Sequence, residues 1–260
     1  MRSSSPALLL VVLGCAPALH APRPIEASPS AGESAPLLVS DARASFAKRP
    51  DLGAVRRAVE LFHEAAAEDP AAVEGLVGAI LAAAWLVEHD PDPKARLALA
   101  SSSVDDGQLC LARRPAEAWC DYGLGIALGL QARERHATAT EGLKLMAEHL
   151  RKAEKTEPGL DLAGPERVLA LLLVRAPGWP VGPGDPEEGL AEARRAVALF
   201  PDHPPNQLAL AEALFANGMA EEGRAAAQRA LELAHQHSSE PDAPDWVRAA
   251  ENLLARQNPA

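Results

Sequence analysis

The chain has 260 residues, 48% of them hydrophobic but only 3% aromatic, and alanine fills about a fifth of all positions, well above ordinary usage. Strand-favouring Val, Ile, Tyr, Phe and Trp are too sparse for a sandwich or barrel, which excludes an all-β fold, while the length suffices for the core of one or two domains. With 25 basic against 36 acidic residues the net charge is −11, which repels phosphate backbones and argues for no nucleic acid among the partners.

Residues 1–14 carry one charge, Arg2, then the apolar run Ala7 to Leu13, and end at Gly14 before Cys15. A bilayer span takes about 20 apolar residues, so this shorter run has the proportions of a signal-peptide core. Val12-Leu13-Gly14-Cys15 resembles the bacterial lipobox, in which a small residue precedes a cysteine that is lipidated and becomes the mature N-terminus; Leu13 is bulkier than the usual occupant. The resemblance implies a lipoprotein signal peptide over 1–14, lipid on Cys15, and membrane attachment by that anchor only. Residues 15–35, rich in Pro, Ser and Ala, are expected to be a disordered, semi-rigid linker holding the folded part away from the membrane. Ala16 follows the cysteine where, in many Gram-negative bacteria, an aspartate would retain a lipoprotein in the inner membrane. The expected address is therefore the bacterial cell envelope, at the outer membrane facing the periplasm. Disulfides form in that compartment, and with Cys15 assigned to lipid the even remainder, Cys110 and Cys120, invites a pair. The helix faces derived below aim the two at different surfaces, which favours free buried thiols.

From residue 36 onward the pattern is helical and repetitive. Residues 187–201 (EEGLAEARRAVALFP) and 221–235 (EEGRAAAQRALELAH) share eight identities in fifteen positions at an offset of 34, the tetratricopeptide period. Gly189, Ala193 and Ala196 align with Gly223, Ala227 and Ala230, small residues that flatten one face of a helix for close approach of a neighbour. Similar ladders ending in proline run Ala58, Phe62, Ala65, Pro70; Ser103, Gly107, Cys110, Pro115; and Met146, Leu150, Ala153, Pro158. The prolines at 70, 115, 158 and 201 are 45, 43 and 43 residues apart, so the earlier repeats exceed the 34-residue unit. Trp119, Tyr122, Gly123 and Ile126 resemble the first-helix motif of the tetratricopeptide family, and Asp185-Pro186, Gly164-Pro165 and Asp242 supply helix starts. The expected fold is all-α: a tetratricopeptide-like solenoid over 36–260, of about five helical pairs plus a C-terminal helix near 243–256.

The stretch from Gly164 to Leu233 further resembles the T component of tripartite ATP-independent periplasmic (TRAP) transporters, a lipoprotein of helical pairs that associates with a periplasmic ligand-binding subunit. That resemblance implies a protein partner of this kind and handling of an apolar small-molecule ligand. The alternative is a scaffold or adaptor lipoprotein for assembly of an envelope machine such as a pilus or secretion system.

First-helix positions that line the concave side in tetratricopeptide folds map onto Ala79, Ala82 and Ala83, onto Cys120, Leu124, Ala127 and Leu128, and onto Leu208, Glu212 and Phe215. This face is either an apolar groove or channel, or ordinary core, since close helix packing also demands small residues. The loop 176–186 (APGWPVGPGDP) is long for a repeat turn; its Trp179 and Pro180 form either a partner-binding tip or a plug folded onto the solenoid end. Gly182 and Gly184 do not make a phosphate cradle, because Pro183 removes a donor, Asp185 repels and the lysine is absent. Gly123, Gly125 and Gly129 lie within a helix and read as packing contacts. His235 and His237 do not share a helical face, so no metal site is expected, and no cofactor. Nucleophile, base and orienter do not assemble, so the chain is not expected to be an enzyme.

Overall fold

The computed structural model describes residues 17–25 and 34–256. The signal peptide and Cys15 lie outside the described residues, as does part of the linker. Among the described residues eleven α-helices follow one another: α1 Ala35–Phe46, α2 Leu52–Glu68, α3 Glu74–His89, α4 Pro93–Arg113, α5 Ala118–Glu134, α6 Ala139–Thr156, α7 Leu160–Arg175, α8 Pro186–Leu199, α9 Pro204–Ala216, α10 Ala220–Gln236 and α11 Ala243–Arg256. Sequential packing of α1 with α2, α3 with α4, and so on through α9 with α10 gives five pairs capped by α11. The all-α repeat fold expected from the sequence is thus what forms.

Local chemistry explains where the helices begin and end. Asp51, Asp92 and Asp185 cap α2, α4 and α8 by accepting from backbone amides in the first turn, and Pro93 and Pro186 occupy first-turn positions where no amide is needed. The second helices of the first four pairs end at Glu68, Arg113, Thr156 and Leu199, each two residues before a repeat proline, because proline disfavours helix in the residue before it. Every helical rung of the ladders, from Ala58 in α2 to Ala230 in α10, is buried, and the terminal prolines are exposed. Contacts explain the small residues: a Cβ on Gly107 would lie 2.8 Å from the Leu124 Cα, and one on Gly223 would lie 2.7 Å from the Phe215 ring.

Between α6 and the right-handed part of α7 the chain makes an unusual turn. Gly159 (φ 83°) is followed by Asp161, Leu162 and Ala163 at φ 50°, 54° and 64°, each costing an L-residue about 1–2 kcal/mol. Tertiary bonds hold the turn: Tyr122 donates its hydroxyl to Asp161 Oδ2 at 2.8 Å, and the Leu162 carbonyl accepts from Arg167 at 3.2 Å and Asn206 at 3.1 Å.

Two sequence expectations are corrected here. Cys110 and Cys120 form a disulfide, with Cα atoms 5.3 Å apart. The expectation of free thiols treated α4 and α5 as separate cylinders, whereas the chain reverses within Arg114–Glu117 and brings the end of one helix onto the start of the next. Residues 17–25 are irregular, as their prolines dictate, but do not stand free as a spacer. Ala18 is fully buried in the central core, and its amide donates to Glu141 at 2.8 Å.

Candidate functional site

The first helices of the pairs line the concave side, and a groove of about 760 Å3 opens there between α3, α7, α9 and α11. On α3 the lining stripe is Leu81, Ala84, Trp85, Glu88 and His89; on α7 it is Arg167, Leu171 and Arg175, spacings that keep side chains on one helical face. Pro205, Leu208, Ala209 and Glu212 of α9 and Trp246, Ala249 and Leu253 of α11 complete the wall, with Phe46 from the end of α1. A second cavity of about 530 Å3, lined by Phe62, Val77, Gly78 and Trp119 among others, shares Phe46 and Leu81 with the first. The concave face is therefore continuous from the first pair to the last helix.

The groove combines aromatic surface with fixed charge. Arg175 forks onto both carboxylate oxygens of Glu212 at 2.6 and 2.7 Å, and these hydrogen bonds raise its pKa further. Arg167 donates to Asn206 Oδ1 at 2.9 Å and lies 3.6 Å from Asp161. His203 meets the edge of Trp246 at 6.0 Å between ring centroids. Burial, followed by the charges of Arg167 and His237, lowers its pKa to about 4, so it is neutral at physiological pH. Glu88, Asp161, Glu212, Asp242 and Asp245 outnumber Arg167 and Arg175 along the lining, leaving the groove acidic.

The two ends of the array meet across this groove. Arg49, in the turn between α1 and α2, donates to Asp242 through Nε at 2.8 Å and Nη2 at 3.0 Å, although 193 residues separate them. Its guanidinium lies 3.8 Å from the centroid of the Phe46 ring, and its side chain is only 10% exposed. Alongside, His89 stacks on Trp85 with ring centroids 4.0 Å apart and places Nε2 at 2.9 Å from Asp245 Oδ2. The first repeats thereby clasp the start of α11, and the solenoid closes on itself.

Of the ten residues mapped to the concave face, Leu208 and Glu212 line the groove. Ala79, Ala82, Ala83, Cys120, Leu124, Ala127 and Leu128 are at most 3% exposed. The three α3 alanines pack with α2 around Phe62, and Leu124 and Leu128 pack with Val104, Met146 and Leu150. Phe215 turns from the groove to the contact with Gly223 on α10. The space expected for an apolar channel bordered by Leu124 and Leu128 is filled core. On α3 the open stripe lies two residues beyond the mapped alanines, at Leu81, Ala84 and Trp85. Gly75 and Gly78 both face Phe62 of α2, and the open stripe lies beyond them.

Trp179 is 90% exposed at the tip of its loop, which rules out the plug, and Pro180 beside it is exposed too. Trp85, His89, Arg167 and Trp246 were missed. On α3 the signal existed: its polar and aromatic residues after the first turn, Trp85, Glu88 and His89, share one stripe of an otherwise apolar helix. Among the described residues, no group of three His, Cys, Asp or Glu side chains could hold a metal ion, and no helix is long and apolar enough to cross a membrane.

Paired helices, a concave face built from the first helix of each pair and small-residue contacts between neighbours define a tetratricopeptide-like repeat. Comparison with solved structures agrees: the chain is similar to TTC0263, a thermophilic tetratricopeptide protein of Thermus thermophilus. The TM-score is 0.63 at 22% identity, over 85% of this chain and 99% of that one, a likeness of fold. Weaker likenesses are to MamA protein (14% identity, TM-score 0.48, 80% of this chain and 96% of that one) and to MamA 41-end from Desulfovibrio magneticus RS-1 (17%, 0.49, 79% and 97%). No family model matches the chain, and no curated protein does.

Proposed function

We propose that this chain is a non-enzymatic scaffold of the bacterial envelope, lipid-anchored through Cys15, that binds a protein segment in its concave groove. The observation that carries this is the groove itself: a cleft of about 760 Å3, walled by Trp85, Leu208 and Trp246 and rimmed by fixed charges. That mixture of rigid aromatic anchors and oriented polar groups suits recognition of a polypeptide. The resemblance of the fourth and fifth repeats to the TRAP-associated component supports the ligand-binding subunit of such a transporter as the partner. Core filling at Leu124 and Leu128 removes the channel that passage of an apolar ligand would use, and so favours the adaptor alternative, in which the chain scaffolds an envelope machine and binds protein alone.

A photo-crosslinking amino acid at Leu208 tests the proposal in cells. It should trap a discrete polypeptide, and Trp246→Ala should abolish the adduct. Absence of any adduct from Leu208, with adducts forming from the convex helices α6 or α8, would move recognition away from the groove. A trapped TRAP-type binding subunit supports the transport reading; a trapped pilus or secretion component supports the adaptor.

A further inference from the structure

The described N-terminal segment meets the repeat domain at a defined edge. Ala18 is fully buried in the core and borders Gly142 near Ala132, where α5 ends and α6 begins. Beyond it, His20 Nε2 and Arg23 Nε each lie 2.8 Å from an Asp105 carboxylate oxygen. Gln108 donates to the His20 carbonyl at 2.7 Å. The segment is fastened along α4 rather than trailing. Cys15 precedes Ala18 by three residues, and three residues of chain span at most about 11 Å. A lipid on Cys15 therefore tethers the α5–α6 edge itself, not a domain roaming on the full linker.

The same edge carries the long loop after α7. Arg133 at the end of α5 lies 3.9 Å from Glu88 on α3, and the charge of Glu88 also acts on Arg175 at the end of α7, so the C-terminal ends of α5 and α7 share an edge. The loop presents Trp179 and Val181, 90% and 59% exposed, on a frame braced by backbone hydrogen bonds donated by the Gly184 amide to the Pro177 carbonyl at 2.9 Å and by the Val181 amide to the Gly178 carbonyl at 3.1 Å. An amphipathic indole beside an aliphatic residue suits the headgroup layer of a bilayer. At the α5–α6 turn Arg135 is exposed and matches anionic headgroups, while Arg133 beside it is paired with Glu134 at 3.3 Å and Glu88 at 3.9 Å.

We propose that this edge rests on the lipid surface: Trp179 and Val181 sit in the interfacial layer while the chain running back from Ala18 leads directly to the anchor. The inference rests on the assignment of Cys15 to lipid, and the experiment separates the two. The full lipidated chain is placed on vesicles of phosphatidylethanolamine and phosphatidylglycerol with brominated acyl chains, and quenching of tryptophan fluorescence is read. Wild-type protein should be quenched, and Trp179→Phe should lose most of the quenching while staying vesicle-bound. His20→Ala with Arg23→Ala, both on solvent-accessible side chains, should free the segment and at least halve the quenching without releasing the protein. Equal quenching of wild type and Trp179→Phe, or none in bound wild type, overturns the resting edge and assigns the loop to a protein contact instead. Cys15→Ser should release the protein; its continued flotation with vesicles overturns the anchor and, with it, the short-tether geometry.

Discussion

Removing Arg49 should unlatch the two ends of the array. Its pair with Asp242 is bidentate, at 2.8 and 3.0 Å, with side chains 10% and 32% exposed. Exposed ion pairs are worth about 0.2–1 kcal/mol and hydrogen bonds to charged groups about 1.5–3 kcal/mol, so a pair of intermediate burial should couple by about 1.5 kcal/mol. Stacking on Phe46 adds about 0.5–1 kcal/mol of cation–π attraction, which Arg49→Ala also loses, for a total near 2–2.5 kcal/mol. The assay is a double-mutant cycle of Arg49→Ala and Asp242→Ala by urea denaturation, which isolates the pairwise part. Spin labels at Lys48→Cys and Glu240→Cys, both on exposed positions, should report a narrow distance distribution that broadens in Arg49→Ala. A coupling energy below about 0.3 kcal/mol, the usual additivity error, with unchanged label distances would refute closure of the solenoid.

Gly75→Ala should destabilise the first two pairs by about 1–3 kcal/mol, the cost of overpacking, because its Cβ would meet the Phe62 carbonyl at 2.6 Å and the Ala66 amide nitrogen at 2.7 Å, both backbone; thermal melts check this. Breaking the disulfide with Cys110→Ser and Cys120→Ser together should lower stability in urea by about 2–3 kcal/mol on the loop-entropy model, given a separation of 10 residues. Two groups act oppositely on pH. Burial and then Glu192 raise the Glu154 carboxyl to about 7, so its contribution is present below 4.5 and lost as pH rises through about 7; Glu154→Gln should flatten that decline in a series of melts. His203, lowered from 6.5 to about 4, contributes stability above 6.5 that is lost as pH falls through about 4, and His203→Asn should blunt the acid-side loss. A decline left unchanged by the matching substitution would remove that residue as its cause.

The repeat architecture was legible because its signals are local. A proline two residues past each of four second helices, an aspartate before α8, and small residues at buried rungs each act through nearby backbone or one neighbouring helix. The end of α7's left-handed turn was legible too, since Gly164-Pro165 marks where right-handed helix resumes. The sequence mapping and the groove lining coincide on α9, at Leu208 and Glu212. On α3 the small residues Gly75 and Gly78 both face the partner helix α2, and so mark the packed side of the helix and not its open one. Arg49 and Asp242 carry no sequence signal for each other: their meeting depends on the summed rotation of five pairs. The disulfide depended in the same way on the tightness of one inter-helix turn.

In an open solenoid each repeat touches only its neighbours, so pairs can be gained or lost with little penalty beyond their own. Here the contact from Arg49 to Asp242 makes the number of pairs part of the structure's definition. Deleting the pair α3–α4, or duplicating α9–α10, would leave every remaining neighbour contact available yet carry the two partners past each other. Length variation is therefore confined to turns that leave the rotation per pair untouched, and the long loop between α7 and α8 is such a place.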